Sequence, residues 1–249
     1  MKKRTIIIQC ASVILCSCSH YYYVSNVQNV PLFREKNEYR AGGGFSFGDE
    51  SQCIEIQAAY AAGNNIGIMG NFMAAWGGDA SDHDYGKGTY IDGGIGYFRP
   101  VGELMSFEFY GGMGGSSQHH EYSGLGYSQG TIYSQNYGTS DLSFIKFFAQ
   151  PSFGLRHNVF DVAVSTRINS VSYTSIGNYV SGNSYEYEEL NQLGDKTHFF
   201  LEPAFTLRCG WKNIKIQLQG SYAGYLNNPK LYFGEEAHLS VGFYYSFLK

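Results

Sequence analysis

Two short clusters of histidine and acidic residues are the parts of this sequence with the clearest capacity for chemistry. Asp82-His83-Asp84 offers carboxylate and imidazole groups, which divalent cations bind. His119-His120-Glu121 offers imidazole next to carboxylate, the groups that general acid–base hydrolysis uses. Neither cluster has a spacing that determines the mutual geometry of its groups. We therefore predict a solvated loop at both places, with no metal ligand and no catalytic residue.

The beginning of the chain has the pattern of an export signal. A basic start over residues 2–4 precedes an apolar stretch over 6–15 that is too short to cross a bilayer as a helix. Leu15-Cys16-Ser17-Cys18 resembles a lipobox, the motif at which signal peptidase II cuts before a cysteine that then carries acyl chains. We expect a signal peptide over 1–17 and a palmitate-type lipid anchor on Cys18. An ordinary signal cleaved nearby is the alternative.

The charge of the mature chain bears on its possible partners, and its cysteine content bears on a possible disulfide. Loss of the three basic residues of the leader changes the formal charge from −4 to −7, which argues against a nucleic-acid partner. Besides the anchor, the mature chain keeps Cys53 and Cys209. The strands assigned below place these two near opposite ends of the protein, so we expect no disulfide between them.

Period-two alternation of apolar and polar residues dominates the mature chain. From Phe199 to Trp211 every odd position is apolar, while the even positions include Glu202 and Arg208. Each such strand has one apolar and one polar face. No stretch shows the period of an amphipathic helix. Alternation predicts ten strands, centred on 38–48, 54–57, 65–76, 91–97, 105–109, 145–155, 162–168, 197–211, 214–218 and 239–247.

The predicted connections alternate in length. Four are tight, at 63–64, 99–102, 156–158 and 212–213, and the first, at 48–51, is also short. The others are longer, at 77–87, 116–140, 172–194 and 226–235. Transmembrane barrels have short periplasmic turns and longer outer loops, and an even number of strands leaves both termini in the periplasm.

We therefore predict an all-β fold, a closed antiparallel up-and-down transmembrane β-barrel of about ten strands over residues 38–249, with eight or twelve strands as alternatives. Residues 18–37 form a lipidated spacer anchored on the periplasmic side. The spacer could lie along the inner interface or enter the lumen as a plug. A featureless tether is the default expectation.

Alternation also fits a soluble lipocalin-like barrel with its faces reversed. Charges of both signs on the polar face favour the membrane arrangement, because they could neutralise each other in a narrow lumen. This predicted lumen network comprises Arg40, Glu55, Asp92, Glu108, Lys146, Arg167, Glu202, Arg208 and Lys215. Aromatic residues near the strand ends, such as Trp76 and Trp211, suit a bilayer interface. Pro151 and Pro203 each remove a ladder donor, so we expect a bulge or a strand end at both.

The last predicted strand, Ser240–Phe247, resembles the C-terminal signal that the outer-membrane barrel-assembly machinery reads. Its elements are Gly242 and the aromatic residues Tyr245 and Phe247. Leu248 and Lys249 extend beyond the usual terminal aromatic, which departs from that signal.

The region from Tyr23 to Trp76, about a quarter of the chain, resembles the N-terminal part of a family of small outer-membrane β-barrel lipoproteins of Bacteroidota. Asn29-Val30-Pro31-Leu32-Phe33, followed by Glu35-Lys36 and Glu38, and Gln57-Ala58-Ala59-Tyr60-Ala61 carry the resemblance. The family implies location and architecture. It supplies no catalytic residue, because no activity is established for it.

We expect a non-enzymatic outer-membrane barrel with a structural or interaction role at the cell envelope, without a cofactor. Its expected partners are outer-membrane lipids, the barrel-assembly and lipoprotein-export machinery, and an unidentified envelope protein. Ten strands predict a lumen filled by side chains, so we do not expect a general porin. One alternative is a periplasm-facing soluble barrel that binds a small apolar ligand. Another is a rim hydrolase, since surface proteases built on ten-stranded barrels pair Asp and His across the rim.

Overall fold

The structure, a computed structural model, describes residues 21–128, 130–180, 185–194, 196–211, 213–227 and 234–248. Its strands are β1 (Glu38–Phe47), β2 (Ser51–Ala61), β3 (Ile66–Asp79), β4 (Asp84–Val101), β5 (Met105–Ser128), β6 (Thr131–Arg156), β7 (Phe160–Asn178), β8 (His198–Trp211), β9 (Ile214–Tyr222), β10 (Gly224–Tyr225) and β11 (Ala237–Leu248). One helix, α1 (Tyr185–Gly194), lies between β7 and β8 within these residues. Cys18 and the predicted signal peptide lie outside them.

Ten of the described strands close into an antiparallel barrel. β1 to β8 pair in chain order, β8 pairs with β9, β9 with β11, and β11 with β1. β10 is a two-residue strand that pairs with β8 beyond β9. The predicted closed up-and-down barrel is therefore confirmed.

The two ends of the barrel differ. The turn end carries the tight connections at 62–65, 102–104, 157–159 and between β8 and β9. The loop end carries the connections at 48–50, 80–83, 129–130, 179–197 and 223–236. Strand boundaries match the prediction closely at the turn end.

Two predicted loops at the loop end were wrong. Most of 116–140 belongs to β5 and β6, which pair as a hairpin of 24 and 26 residues. The predicted loop 77–87 shrinks to 80–83. Where these strands project beyond the apolar part of the wall, the outward face of β5 is polar, as at Ser117, His119 and Glu121. The inward face mixes polar residues such as Gln118 with apolar ones such as Tyr122. Alternation of hydrophobicity then disappears although the ladder continues.

The predicted loop 172–194 contains further secondary structure that alternation missed. β7 continues to Asn178, and α1 occupies the end of the segment. α1 is short, and its two leucines, Leu190 and Leu193, are too few to make a helical stripe in the sequence. Among the described residues, no helix is long and apolar enough to cross a membrane.

The apolar faces of the strands point outward. Phe199, Phe205 and Phe243 are 43%, 51% and 69% exposed, whereas Glu202 and Arg208 are fully buried. This is the arrangement of a barrel whose wall meets acyl chains, and it excludes the lipocalin-like alternative. Exposed aromatic residues lie near both ends of the wall, at Trp76 near the loop end and at Tyr39, Tyr97 and Trp211 near the turn end.

The expected bulge or strand end at Pro151 and Pro203 was wrong, because both strands continue through the prolines in register. Pairing between β6 and β7 is interrupted between residues 149 and 152. On β8, the pairing partner changes from β10 to β9 between residues 201 and 204. Each proline therefore lies where one neighbouring ladder is already interrupted. The described register shifts lie at Tyr122/Ser123 and Ser143/Phe144.

The two cysteines of the barrel lie near opposite ends of the wall, as predicted. Cys53 is buried near the loop end, and Cys209 is exposed on the outer face of β8 near the turn end.

Residues 21–33, which we name the lumen segment, run inside the barrel from the loop end to the turn end. Every residue from Tyr22 to Phe33 is buried. The chain then reverses between Leu32 and Asn37, whose φ values of 53° and 68° lie in the left-handed region, and enters β1. Residues 21–33 of the spacer therefore take the plug arrangement, and the default expectation of a featureless tether was wrong for them.

Candidate functional site in the barrel lumen

The lumen segment has three parts that match three layers of the lumen wall. Tyr21–Val24 and Val30–Phe33 are largely apolar and pack against apolar clusters at the two ends. Ser25–Asn29 is mostly polar and lies among buried amide and charged side chains in the middle. The layers follow from burial, since a polar group inside must meet another polar group.

Amide side chains of the wall form hydrogen bonds with the backbone of the lumen segment. Gln219 accepts from the N–H of Gln28 at 2.7 Å and donates to its carbonyl at 2.9 Å. Gln57 and Gln150 each donate at 2.8 Å to carbonyls of the segment. An extended chain without a strand partner leaves its backbone groups unsatisfied, so these side chains replace a β-ladder.

Two glutamates of the predicted network accept hydrogen bonds from backbone N–H groups of the lumen segment. Glu55 accepts from Val27 at 2.7 Å, and Glu108 accepts from Phe33 at 2.8 Å. Ser46 also donates to Glu55. These carboxylates therefore bond the lumen segment, whereas the sequence predicted that they neutralise wall cations.

Tyr23 joins the polar layer to the apolar loop end. Its hydroxyl donates to Glu202 at 2.6 Å and accepts from the side-chain amide of Asn169 at 3.0 Å. Its ring stacks on Phe200 with centroids 4.2 Å apart. One side chain thus satisfies a buried carboxylate and contributes to the apolar packing.

A charge cluster occupies the centre of the polar layer. The Asp92 carboxylate lies 2.7 Å from Lys146 Nζ and 3.9 Å from Arg167 Nη1. Asn26 of the segment accepts from both cations, at 2.6 and 2.9 Å. The side-chain oxygen of Asn26 therefore accepts hydrogen bonds from two buried cations at once.

Further ion pairs lie towards the turn end. Asp161 is 2.5 Å from Lys215 Nζ and 3.9 Å from Arg208 Nη1. The Arg208 guanidinium also donates to the carbonyl of Val30 at 2.8 Å and lies 3.6 Å from the ring centroid of Tyr244. At the turn-end mouth of the barrel, Glu38 forms ion pairs with Arg40 and Arg156.

All nine predicted network residues are buried in the lumen. Asp161 and Glu38, which pair with Lys215 and Arg40, were not among the predicted network residues. Both have the strand parity of the polar face, so extending the alternation to the strand ends would have found them. Only the structure shows which partner each charge takes.

The loop end of the lumen is covered by an apolar cluster beneath α1. Leu190 and Leu193 of α1 pack with Tyr22 of the lumen segment and with Tyr122 and Leu142 of the wall. A helix can cover a barrel mouth in this way because its leucines, three positions apart, share one face.

His119 and His120, the two histidines of the predicted cluster at the rim, do not lie on the same face of the wall. His119 and His120 are neighbours on β5, so their side chains point to opposite faces. His120 is buried with its ring centroid 5.3 Å from that of Tyr22. His119 lies on the outer face, 2.7 Å from Asp141 and 3.7 Å from Glu121.

The other predicted cluster contributes one residue to this surface. His83 lies 3.3 Å from the Glu121 carboxylate on the exposed outer face. Throughout the part of the chain that the structure describes, no three or more His, Cys, Asp or Glu side chains are arranged to hold a metal ion.

The predicted assembly motif lies at the seam where β11 meets β1. Tyr245 and Phe247 point outward and are exposed, and Gly242 pairs with Gly44. A Cβ at Gly44 would lie 2.3 Å from the Val241 carbonyl oxygen, so the backbones meet too closely there for a side chain.

The sequence matches no protein-family model, and none of the curated proteins matches it. Among solved structures, the chain is similar to the outer membrane protease OmpT from Escherichia coli, with 11% identity and a TM-score of 0.45 over 85% of this chain and 93% of that chain. It is also similar to the transport unit of the autotransporter AIDA-I from Escherichia coli, with 11% identity and a TM-score of 0.27 over 89% of this chain and 93% of that chain.

Proposed function

We propose that this protein is an outer-membrane β-barrel lipoprotein with a structural or interaction role at the cell envelope, and that it neither conducts solutes nor catalyses a reaction. The observation that supports this proposal most directly is the lumen segment. It fills the interior along its length while the outer face of the wall stays apolar.

A filled lumen argues against transport. A polar solute crossing the barrel would have to displace the segment from the bonds that Gln219, Glu55 and Glu108 make to its backbone. Those groups would then lie unpaired in a poorly hydrated interior, at roughly 1–3 kcal/mol for each buried group. These lumen-facing side chains thus have their hydrogen-bond partners in the chain's own lumen segment.

Lipids are the first proposed partner, because the outward face of the wall is apolar. Barrel-assembly machinery would act on the outward aromatic residues Tyr245 and Phe247, and lipoprotein-export machinery on Cys18. An envelope protein would meet the projecting β5–β6 hairpin and the helix-bearing connection at the loop end. These parts carry polar outward residues and reach beyond the apolar wall.

Membrane insertion can be tested on the full-length protein purified from cell envelopes. We expect detergent-dependent extraction, co-fractionation with the outer membrane, and faster gel mobility of the unheated than of the boiled sample. Release of the protein by salt or alkali without detergent would contradict the proposal.

Conductance tests the filled lumen. We expect the protein reconstituted in planar bilayers to give no current steps above the bare bilayer, with a general porin as the positive control. Reproducible steps from the folded, heat-modifiable form would contradict the non-conducting role.

Catalysis can be tested at the His119–Asp141 pair. We expect no peptidase or esterase activity from the wild type above that of His119→Ala. His120→Ala serves as the matched control, because His120 is a neighbouring histidine with its side chain in the lumen. Activity that is lost in His119→Ala alone would show an enzyme.

A further inference from the structure

We propose that the mature chain begins at the cell-surface end of the barrel, so that a lipid carried by Cys18 sits in the outer leaflet. The sequence pattern predicted the anchor on the opposite, periplasmic side. This inference rests on the proposed outer-membrane location.

The start of the lumen segment is held at the loop end. Gln118 and Tyr173 donate to the carbonyl of Tyr22 at 3.0 and 2.8 Å, and both come from parts of β5 and β7 close to the loops. The N–H of Glu235, in the connection before β11, donates to the carbonyl of Tyr23 at 2.9 Å. The first described residues are thus tied to the loop-end parts of three wall segments.

The end of the lumen segment is held at the turn end. Ser106, next to the β4–β5 turn, donates to the carbonyl of Phe33 at 2.7 Å. The Arg34 guanidinium donates to the carbonyl of Gly102 in that turn at 2.9 Å. The N–H of Asn37 donates to the last residue of β2, Ala61, at 2.9 Å. The direction of the segment is therefore opposite to that of β1.

Chain length limits where Cys18 can lie. Cys18 precedes Tyr21 by three residues, and a fully extended chain of that length reaches about 11 Å. The hydrocarbon core of a bilayer is about 30 Å thick. A periplasmic anchor would have to cross that distance from the loop end, so the available chain is too short.

The end of the barrel that faces outside follows from the connections. Short turns mark the periplasmic end of bacterial outer-membrane barrels and long connections the outer end. Here the helix-bearing connection and the long β5–β6 hairpin share the end where the lumen segment begins. A lipid within reach of Tyr21 therefore meets the outer leaflet.

Single-cysteine reporters in intact cells test the direction of the segment. In a Cys53→Ala, Cys209→Ala background, Tyr21→Cys reports the start of the segment, Asp82→Cys the loop end and Asn64→Cys the turn end. With a membrane-impermeant maleimide, we expect Tyr21→Cys and Asp82→Cys to be labelled in intact cells. We expect Asn64→Cys to be labelled only after the outer membrane is permeabilised.

The outcomes separate this inference from the proposed function. Labelling of Asp82→Cys in intact cells, with Tyr21→Cys labelled only after permeabilisation, would overturn the inference and leave the proposed function intact. Labelling of Asn64→Cys in intact cells without Asp82→Cys would place the turn end outside and overturn the inference alone. Labelling of neither Asp82→Cys nor Asn64→Cys until the outer membrane is permeabilised would contradict the proposed outer-membrane barrel and the inference with it.

A protease test reads the lipid directly and does not depend on thiol reactivity. A protease recognition site is inserted between His20 and Tyr21, and cells are fed alkynyl palmitate. Protease added to intact cells should remove the palmitate label from the heat-modifiable barrel band. Retention of the label until the cells are permeabilised, or absence of label from the band, would overturn the inference.

Discussion

The middle of the lumen and its loop end hold the same segment by different physical means. In the middle, Asn26 and Gln28 meet charged and amide groups through directional hydrogen bonds. At the loop end, Tyr22 packs among aromatic and aliphatic side chains, including those of α1. Directional bonds set the register of the segment along the barrel, because a shift by one residue breaks them all. Apolar packing covers the mouth and tolerates small shifts.

The largest effect is expected from breaking the central charge cluster. Asp92→Asn keeps the shape of the side chain but leaves Lys146 and Arg167 without their carboxylate. We expect it to lower the free energy of unfolding by about 3–5 kcal/mol, measured by urea unfolding followed through tryptophan fluorescence in lipid vesicles. Asp49→Asn in the exposed β1–β2 connection is the control, expected within about 0.5 kcal/mol of wild type. Equal stability of the two variants would show that the polar layer does not hold the fold.

A smaller effect is expected where the two regions meet. Tyr23→Phe keeps the ring on Phe200 but removes the hydroxyl between Glu202 and Asn169. We expect a loss of about 1–3 kcal/mol in the same assay, because two buried polar groups lose a partner. Tyr179→Phe removes a hydroxyl at a 77% exposed residue and should change nothing measurable. If the two variants match, the hydrogen bonds of Tyr23 contribute little and its stacking carries the contact.

At the loop end the effect should be local. Leu193→Ala opens a cavity under α1, which normally costs about 2–5 kcal/mol in a core. Since α1 only covers the loop-end mouth of the barrel, we expect faster hydrogen exchange over 185–194. The free energy of global unfolding should change by less than about 1 kcal/mol. Asn191→Ala on the exposed side of α1 is the control. A global loss as large as that of Asp92→Asn would make the two regions equivalent.

The smallest effect concerns pH at the loop end. Partial removal of water from the Glu50 carboxyl, together with the nearby Glu235 carboxylate, raises the pKa of Glu50 to about 7. The folded state therefore favours protonated Glu50, and that stabilisation is lost as pH rises from about 4.5 to about 7. Because the side chain is largely exposed, we expect less than about 1 kcal/mol. Glu50→Gln should remove this pH dependence of the thermal midpoint, and an unchanged profile would contradict it.

Strands were predictable where one face meets lipid and the other the lumen. Phe199–Trp211 shows this, since its period-two pattern alone identified β8 and the burial of Glu202 and Arg208. Alternation failed to identify the strands over 116–140, where β5 and β6 project with polar residues on both faces. It also failed at α1, because one turn of leucines makes no recognisable stripe.

Partner choice inside the lumen was not predictable. Glu55, Glu108 and Glu202 were expected to pair with cations, and they bond Val27, Phe33 and Tyr23 of the lumen segment instead. No periodic pattern in Tyr21–Phe33 indicates that this stretch belongs inside the barrel.

The sequence by itself determined the ten strands of the barrel, its closure, the apolar outer face and nine residues of the charged inner face. Those properties follow from side chains that alternate along one strand, a local and covalent periodicity. The tertiary structure alone decided that residues 21–33 lie inside the barrel and run towards the turn end. The lumen exists only after ten strands have closed, so the groups that recognise the lumen segment come together from positions far apart in the chain.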